Sequence, residues 1–312
     1  MSCKNCSINP VITLTNTKVS LCKKCFIRYF EKKVLKTIRT FNLIDKGDHI
    51  GIAVSGGKDS TTLLYLLSKL NENRKDIKLT AILINEGIEG YRDKSMIDAE
   101  RYCKEFNVPL KIYSFEKEFG QPLSVLIKRI NLKPCSICGV LRRYLLNKKA
   151  KELKVTKLAT GHNLDDETQS ILMNQIKNSI KTSARLGPIT GIKEDPRFIR
   201  RIKPLYFLTE KEVLTYAFLN KLVASYDECP NCGDALRGDV RNLLNEFEKK
   251  YPGTKHAIIN SFIEILPLLK KDYEVGAIKS CNICGEPCSQ DICRACNLLK
   301  ENGLLQQNIK EL

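Results

Sequence analysis

The stretch LKPCSICGVLRR, residues 132–143, sets two cysteines three positions apart and follows them with Arg142 and Arg143. Thiolates at that spacing bind soft metals, and Cys229 and Cys232 in DECPNC repeat it far along the chain. Twelve of the fourteen cysteines form six such pairs: Cys3/Cys6, Cys22/Cys25, Cys135/Cys138, Cys229/Cys232, Cys281/Cys284 and Cys293/Cys296, leaving Cys103 and Cys288. The first two pairs have the spacing of a zinc ribbon, and the last two repeat it with a shorter insert. Neither segment is long enough for a core of its own, so a tetrahedral zinc would supply its folding free energy.

A second chemistry lies in GIAVSGGKDSTTLLYLL. Gly56 and Gly57 let backbone amides approach an anion with no Cβ in the way. A helix beginning near Asp59 or Ser60 offers unpaired N–H groups and the positive end of its dipole, while Lys58 adds a cation and Ser60 a hydroxyl. This is not the Walker pattern. A tight strand–helix turn with Asp59 or Ser60 as N-cap explains one glycine and one polar residue, but not the hexapeptide. SGGKDS resembles the pyrophosphate loop of N-type ATP pyrophosphatases, which cleave ATP between its α- and β-phosphates to adenylate a substrate. The segment ATGHNLDDETQSILMN, 159–174, follows another apolar run, and His162, Asn163, Asp165 and Asp166 there suit Mg²⁺ or a nucleotide.

These groups need a scaffold. HIGIAV (49–54) and KLTAILIN (78–85) read as strands buried on both faces, LKIYSF (110–115) and VTKLATG (155–161) as further strands. DSTTLLYLLSKL (59–70) carries Leu63, Leu66, Leu67 and Leu70 on one helical face, and 165–176 also reads as helix. The rhythm predicts an α/β fold with an open, doubly wound parallel sheet. A Gly/Pro-punctuated basic loop spans 185–205, and a helical tail from about Leu236 to Lys271 is interrupted at YPGTK. The expected division is an N-terminal zinc finger (1–30), a catalytic domain with a central Fe–S site (31–235), a helical tail (236–275) and a C-terminal zinc finger (276–312).

The 312 residues carry 52 Lys and Arg against 35 Asp and Glu, a formal charge of +17. A Lys-rich surface can reflect heat adaptation, but an excess this large favours a polyanionic partner, nucleic acid above all. Aromatics make up 7% and Trp is absent, which argues against stacking on single-stranded bases as the main contact. No run of eighteen apolar residues is present, and MSCKNCSINP lacks the layout of a secretion signal. A cytoplasmic protein with no membrane contact is expected, in which thiols stay reduced and bind metal rather than pair as disulfides.

Taken in order, the N-terminal finger, SGGKDS, NEGIEGYR (85–92), CSICGVLRR, GHNLDDETQSILMN, RRIKPL, DECP and the C-terminal finger resemble the tRNA 2-thiouridine synthetase family of the TtuA/NcsA type, related to the cytoplasmic tRNA thiouridylase catalytic subunit. The resemblance implies ATP held by Ala53, Val54, Ser55–Ser60, Ile84, Gly161, His162 and Asp166. It implies attack of uridine O2 on the α-phosphate, then sulfur replacing oxygen at C2 with release of AMP. Asp59 and Asp166 would be Mg²⁺ or nucleotide contacts and Arg142 a catalytic cation. Cys135, Cys138 and Cys229 would bind a [4Fe–4S] cluster through three irons, with two Zn²⁺ in the terminal fingers. Implied partners are tRNA, a sulfur donor (a ubiquitin-like thiocarboxylate carrier or free sulfide) and a second copy in a homodimer.

Cys232 departs from the family pattern. With it, four thiolates could close a structural zinc site or a fully ligated cluster. Two other functions compete: a different tRNA-modifying enzyme of the same ATP-loop class (cytidine thiolation or lysidine-type ligation) with purely structural zinc, and a non-catalytic RNA-binding protein. Charge alone assigns the tRNA surface to the fingers, Arg142, Arg143, Lys193, Arg197, Arg200, Arg201 and Lys203.

Overall fold

The computed structural model describes residues 2–192, 195, 197–222, 229–231, 235–273 and 278–305. Lys193 and Cys232 lie outside them. A short antiparallel hairpin, β1 (Ile12–Thr13) and β2 (Ser20–Leu21), leads into α1 (Lys23–Thr40). Phe26, Phe30, Val34 and Ile38 form the buried face of α1, and Phe30 stacks on Tyr216 with ring centroids 4.1 Å apart. Cys25 thus belongs to the first turn of a long helix, which continues past the expected end of the finger.

The apolar runs then alternate with helices: β3 (His49–Val54), α2 (Lys58–Asn73), β4 (Lys78–Asn85), α3 (Tyr91–Glu105) and β5 (Leu110–Ser114). Next come α4 (Phe115–Phe119), α5 (Leu123–Arg129), α6 (Pro134–Glu152), β6 (Lys157–Ala159), α7 (Leu164–Ile176), α8 (Ile180–Ser183), β7 (Arg200–Ile202) and α9 (Glu210–Leu219). The tail is α10 (Ala235–Lys250) and α11 (Thr254–Asp272), broken at Pro252-Gly253 as the sequence suggests, where Gly253 takes φ +100°. β8 (Lys279–Ser280), β9 (Pro287–Cys288) and α12 (Arg294–Glu301) build the C-terminal module.

The five long-range strands form one parallel sheet in the order β5-β4-β3-β6-β7. Because side chains alternate across a strand, Leu79, Ala81 and Leu83 join one core with α1, α2 and α9, while Ile82 and Ile84 join the other with α5, α6 and α12. The chain order reverses between β3 and β6, so the loops leaving these two neighbours diverge and open a crevice at their carboxyl ends. SGGKDS leaves β3 there and GHNLDD leaves β6.

Candidate active site and metal centres

The helix after SGGKDS begins one residue earlier than the sequence reading, at Lys58, and its N-cap is Gly57, in extended conformation with no side-chain cap. Ser60 does not cap because its hydroxyl turns back into the loop. It accepts from Ser55 N at 3.1 Å and lies 3.1 Å from Ser55 Oγ and 3.0 Å from Gly57 O. Free N–H groups at the helix start are therefore left pointing outward. Gly56 has φ +77°, and a Cβ there would lie 2.1 Å from Ser95 O, so α3 packs directly on the loop. Gly161 also approaches closely, from the β6 side: a Cβ would stand 2.9 Å from the Asp59 carbonyl carbon.

Lys58 Nζ donates to Asp59 at 2.9 Å and to Glu210, at the start of α9, at 3.0 Å. Burial works against its ammonium, but these two carboxylates outweigh burial and hold its pKa above the usual lysine range. Asn163 caps α7, accepting from the N–H of Asp165 and Asp166, and its Nδ2 donates to Asp59 Oδ1 at 3.1 Å. Asp166 accepts from Asn163 N at 3.1 Å. Burial raises its carboxyl to about 7, with the Asn163 N–H opposing and Asp59 adding to the rise. Asp59 and Asp166 are therefore neighbours across the crevice, a suitable pair for a hard cation. His162 reaches the open cleft with Nδ1 2.9 Å from Thr160 Oγ1; the protein crowded around it and the charges of Lys203, Arg201, Arg142 and Arg237 lower its pKa, and its contact with solvent screens both effects. Ala53, Val54 and Ile84 end their strands at the same edge; Ile84 is buried in the core, so only its backbone can face a nucleotide.

Asp165 is not part of this cation pair. It is buried, ion-paired with Lys255 of α11, and accepts from Glu210 N at 2.7 Å. Lys203, expected on the RNA surface, is likewise buried and paired with Glu167 at 2.7 Å, because β7 carries it into the interior beside α7. Arg197 is half spent too: it pairs with Asp195 at 2.7 Å and donates to Ile278 O and Ser280 Oγ, tying its loop to the C-terminal module.

The central cysteines start α6, whose first residue is Pro134, a favoured opener for a helix. Ile137, Leu141 and Leu145 bury its core face, leaving Cys135 exposed and Cys138 half-buried. Cys135 Sγ donates to Asn231 O at 3.3 Å, which brings the 229–231 segment onto the helix start. Burial pushes the Cys138 thiol up to about 11; Arg142 opposes this, and Glu86 and Cys229 add to it. Among the described residues these three thiols do not close to the tight spacing of a single-ion cage. Three soft sulfur donors gathered at the start of one helix have the chemistry to hold a soft metal or an Fe–S cluster.

The sequence reading gave no role to Glu86 and Arg92, although both lie in NEGIEGYR just past β4. Glu86, 1% exposed, is ion-paired with Arg92 and lies 3.4 Å from Arg142 Nη1. Arg92 Nη1 in turn donates to Ser55 O at 3.0 Å. A chain of contacts thus runs from the phosphate loop through Arg92 and Glu86 to Arg142, whose charge acts on the Cys138 thiol one helical turn away on α6. Charged residues directly after a buried strand were the available signal. On the outer side Arg201 Nη2 donates to Arg143 O at 3.4 Å. Burial lowers both guanidiniums, helped for Arg201 by Arg143 and for Arg143 by Arg142 and by Arg294 of the C-terminal module.

The terminal modules do close. Cys3, Cys6, Cys22 and Cys25 have all four sulfurs within 4.8 Å of one another, as do Cys281, Cys284, Cys293 and Cys296; Cys288 stands outside. Contact with Cys22 pushes the Cys25 thiol up to about 12, and contact with Cys284 does the same to Cys293. Thiols this close cannot all ionise without a cation, so four-sulfur zinc fits both sites. Cys293 N donates to Cys281 Sγ at 3.2 Å, a backbone support of the kind that orients metal ligands.

The parallel sheet, its glycine-rich anion loop and the acidic β6 loop define a PP-loop nucleotide-binding protein, and residues 28–247 match the PP-loop domain family. The chain is 38% identical over 296 residues to the tRNA-5-methyluridine(54) 2-sulfurtransferase of Pyrococcus horikoshii, covering 95% of this chain and 93% of the relative. It is 34% identical to the tRNA 2-thiolation protein NcsA of Haloferax volcanii, covering 96% and 98%. Among solved structures, the U34-tRNA thiolase NcsA from Methanococcus maripaludis with its [4Fe–4S] cluster superposes with a TM-score of 0.86 at 33% identity, over 98% of each chain. The chain belongs to the PP-loop family of tRNA 2-thiolation enzymes. Among the described residues no helix is long and apolar enough to cross a membrane.

Proposed function

We propose that this protein is an ATP-dependent tRNA uridine 2-sulfurtransferase. ATP lies on Ser55–Ser60, its phosphates against the N-terminal amides of α2 and Lys58, with Mg²⁺ between Asp59 and Asp166. The uridine O2 attacks the α-phosphate, pyrophosphate leaves, and the adenylated O2 later departs as AMP when sulfur bonds to C2. Oxygen is exchanged for sulfur with no net redox change. Arg142 neutralises charge developing between the phosphate and the thiolates. Cys135, Cys138 and Cys229 hold a [4Fe–4S] cluster, which, when bound, supplies a soft site able to retain hydrosulfide. Arg143, Arg201 and Arg294, close enough to feel one another's charge and in no ion pair among the described residues, receive tRNA phosphates. Residues 31–235 form the catalytic domain on this reading, and the zinc modules at 1–30 and 276–312 flank it, the latter after the helical tail at 236–275.

The observation that supports the proposal is the Ser55–Arg92–Glu86–Arg142 chain, which links the nucleotide loop to the cation that acts on the Cys138 thiol. A structural zinc site would need no such connection. The test is anaerobic purification, iron and sulfide assay, and incubation with tRNA, ATP, Mg²⁺ and sulfide, followed by nucleoside mass spectrometry. The expected result is about four irons per chain and tRNA-dependent AMP with 2-thiouridine, mapped to position 34 or 54. Iron-free protein that consumes ATP and forms no 2-thiouridine would overturn it in favour of another tRNA modification.

A further inference from the structure

Helix α1 carries Lys24, Arg28, Lys32, Lys36 and Arg39 at positions that fall on one face, opposite its buried Phe26, Phe30 and Val34. All five are exposed, and among the described residues none forms an ion pair. They rim a shallow trough of about 660 Å³ along the helix. The one acid in that trough, Glu31, is turned inward: it pairs with Lys69 at 2.7 Å and accepts from Tyr216 OH at 2.8 Å. At 1.5 Å per residue the stripe is about 22 Å long, which spans several phosphates of a nucleic acid strand.

The stripe is also fixed to the catalytic edge. Glu212 of α9 accepts from Tyr29 at 2.8 Å and pairs with Lys33 at 3.4 Å, both on α1. Two residues earlier in the same helix, Glu210 meets Lys58 of the nucleotide loop. The helix that carries the stripe is therefore tied through α9 to the nucleotide loop. Five cations that form no ion pair among the described residues, on a chain of net +17, call for a polyanion with regularly spaced charges, and a phosphodiester backbone has that form.

We infer that the α1 face is a second RNA-docking surface, which grips the phosphate backbone of the substrate tRNA away from the base that reacts. This rests on the reading of the protein as a tRNA-modifying enzyme. The test uses full-length protein and an unmodified tRNA transcript, with Kd measured against salt for wild type and for the combined Arg28→Ala, Lys32→Ala, Lys36→Ala variant. Alanine preserves the helix, and an unchanged melting temperature checks folding. Losing three phosphate contacts is expected to weaken binding about tenfold or more near 0.15 M salt and to lower the slope of log K against log salt by about 2. Wild type that does not bind tRNA would remove the underlying reading. Wild type that binds, with a variant of equal Kd and slope, would overturn the α1 surface alone. A variant altered only in self-association, or in binding an acidic protein, overturns it as well.

Discussion

The carboxylate of Glu86 and the guanidinium of Arg142 lie 3.4 Å apart, joining an acid that is 1% exposed to a cation whose side chain is 45% exposed to the cleft. Glu86 also faces Arg92, whose other nitrogen holds Ser55 O. One buried negative charge therefore sets the distance between two cations, one behind the nucleotide loop and one beside Cys138. Removing only that charge leaves a guanidinium buried without its partner. Glu86→Gln is expected to lower stability by about 3–5 kcal/mol, read as a shift in the urea midpoint, and to weaken ATP binding through Ser55. An unchanged midpoint would show that Arg92 finds another acceptor.

Arg142 differs from Arg92 in reaching solvent, so its replacement tests chemistry more than folding. Arg142→Ala is expected to cut 2-thiouridine formation about 10²-fold, the usual cost of one transition-state donor, with ATP affinity and melting temperature little changed. Arg142→Lys keeps a positive charge but not the planar fork that spans Glu86 and the cleft, and should recover part of the rate. Full activity in the alanine variant would reduce Arg142 to a surface cation.

The sheet was legible because strands buried on both faces must be nearly continuous apolar runs, and HIGIAV and KLTAILIN admit little else. The phosphate loop was legible because paired glycines followed by Lys-Asp-Ser have few other uses. The terminal modules were legible from cysteine spacing. The Glu86–Arg92 pair was not, since the value of a buried ion pair depends on which guanidinium the fold brings to it, and that is tertiary. Lys203 was misplaced for the same reason: charge along a loop says nothing about which residue turns inward, here to Glu167, whereas Arg197 keeps an exposed face while bound to Asp195. The stripe on α1 was overlooked because LCKKCFIRYFEKK, mixing cysteines, aromatics and lysines, reads as the edge of a zinc finger rather than as a helix.

For the proposed central cluster, whether three or four thiolates are ligands turns on Cys232, in the segment outside the described residues. Cys232→Ser is expected to keep iron at the wild-type level, while Cys135→Ser, Cys138→Ser or Cys229→Ser loses it. Iron per chain after anaerobic reconstitution, with the charge-transfer absorbance of the cluster, decides the point. Loss of metal in Cys232→Ser would establish a closed four-cysteine site.

The C-terminal module is clamped to α6 through Glu286, which accepts from Asn147 at 2.8 Å and pairs with Lys151 at 2.9 Å. A metal held by its four cysteines would therefore be coupled to α6, whose first turn carries Cys135. Cys296→Ser is expected to release one zinc per chain and to expose residues 278–305 to limited proteolysis, while the N-terminal zinc stays. Metal analysis by mass spectrometry checks both statements; loss of both zincs would mean that the modules do not fold independently.

Asp166 and His162, four residues apart, oppose each other in their effect of pH on stability. Burial lifts the Asp166 carboxyl from an ordinary 3.8 to about 7, so the folded protein holds a proton that the unfolded chain has released. Its contribution to stability falls as pH rises, by about 2 kcal/mol between pH 5 and 7. His162 is displaced the other way, below its usual 6.5, by an amount that its contact with solvent in the cleft keeps modest. The unfolded chain protonates it first, so its contribution falls as pH drops below about 6.5. In wild type free of nucleotide and Mg²⁺ the two trends partly cancel. Asp166→Asn removes the first and leaves the second, so the variant should lose stability more steeply than wild type between pH 7 and pH 5. Urea midpoints at the two pH values measure the difference, and equal slopes would show that the Asp166 carboxylate is already solvated in the open cleft.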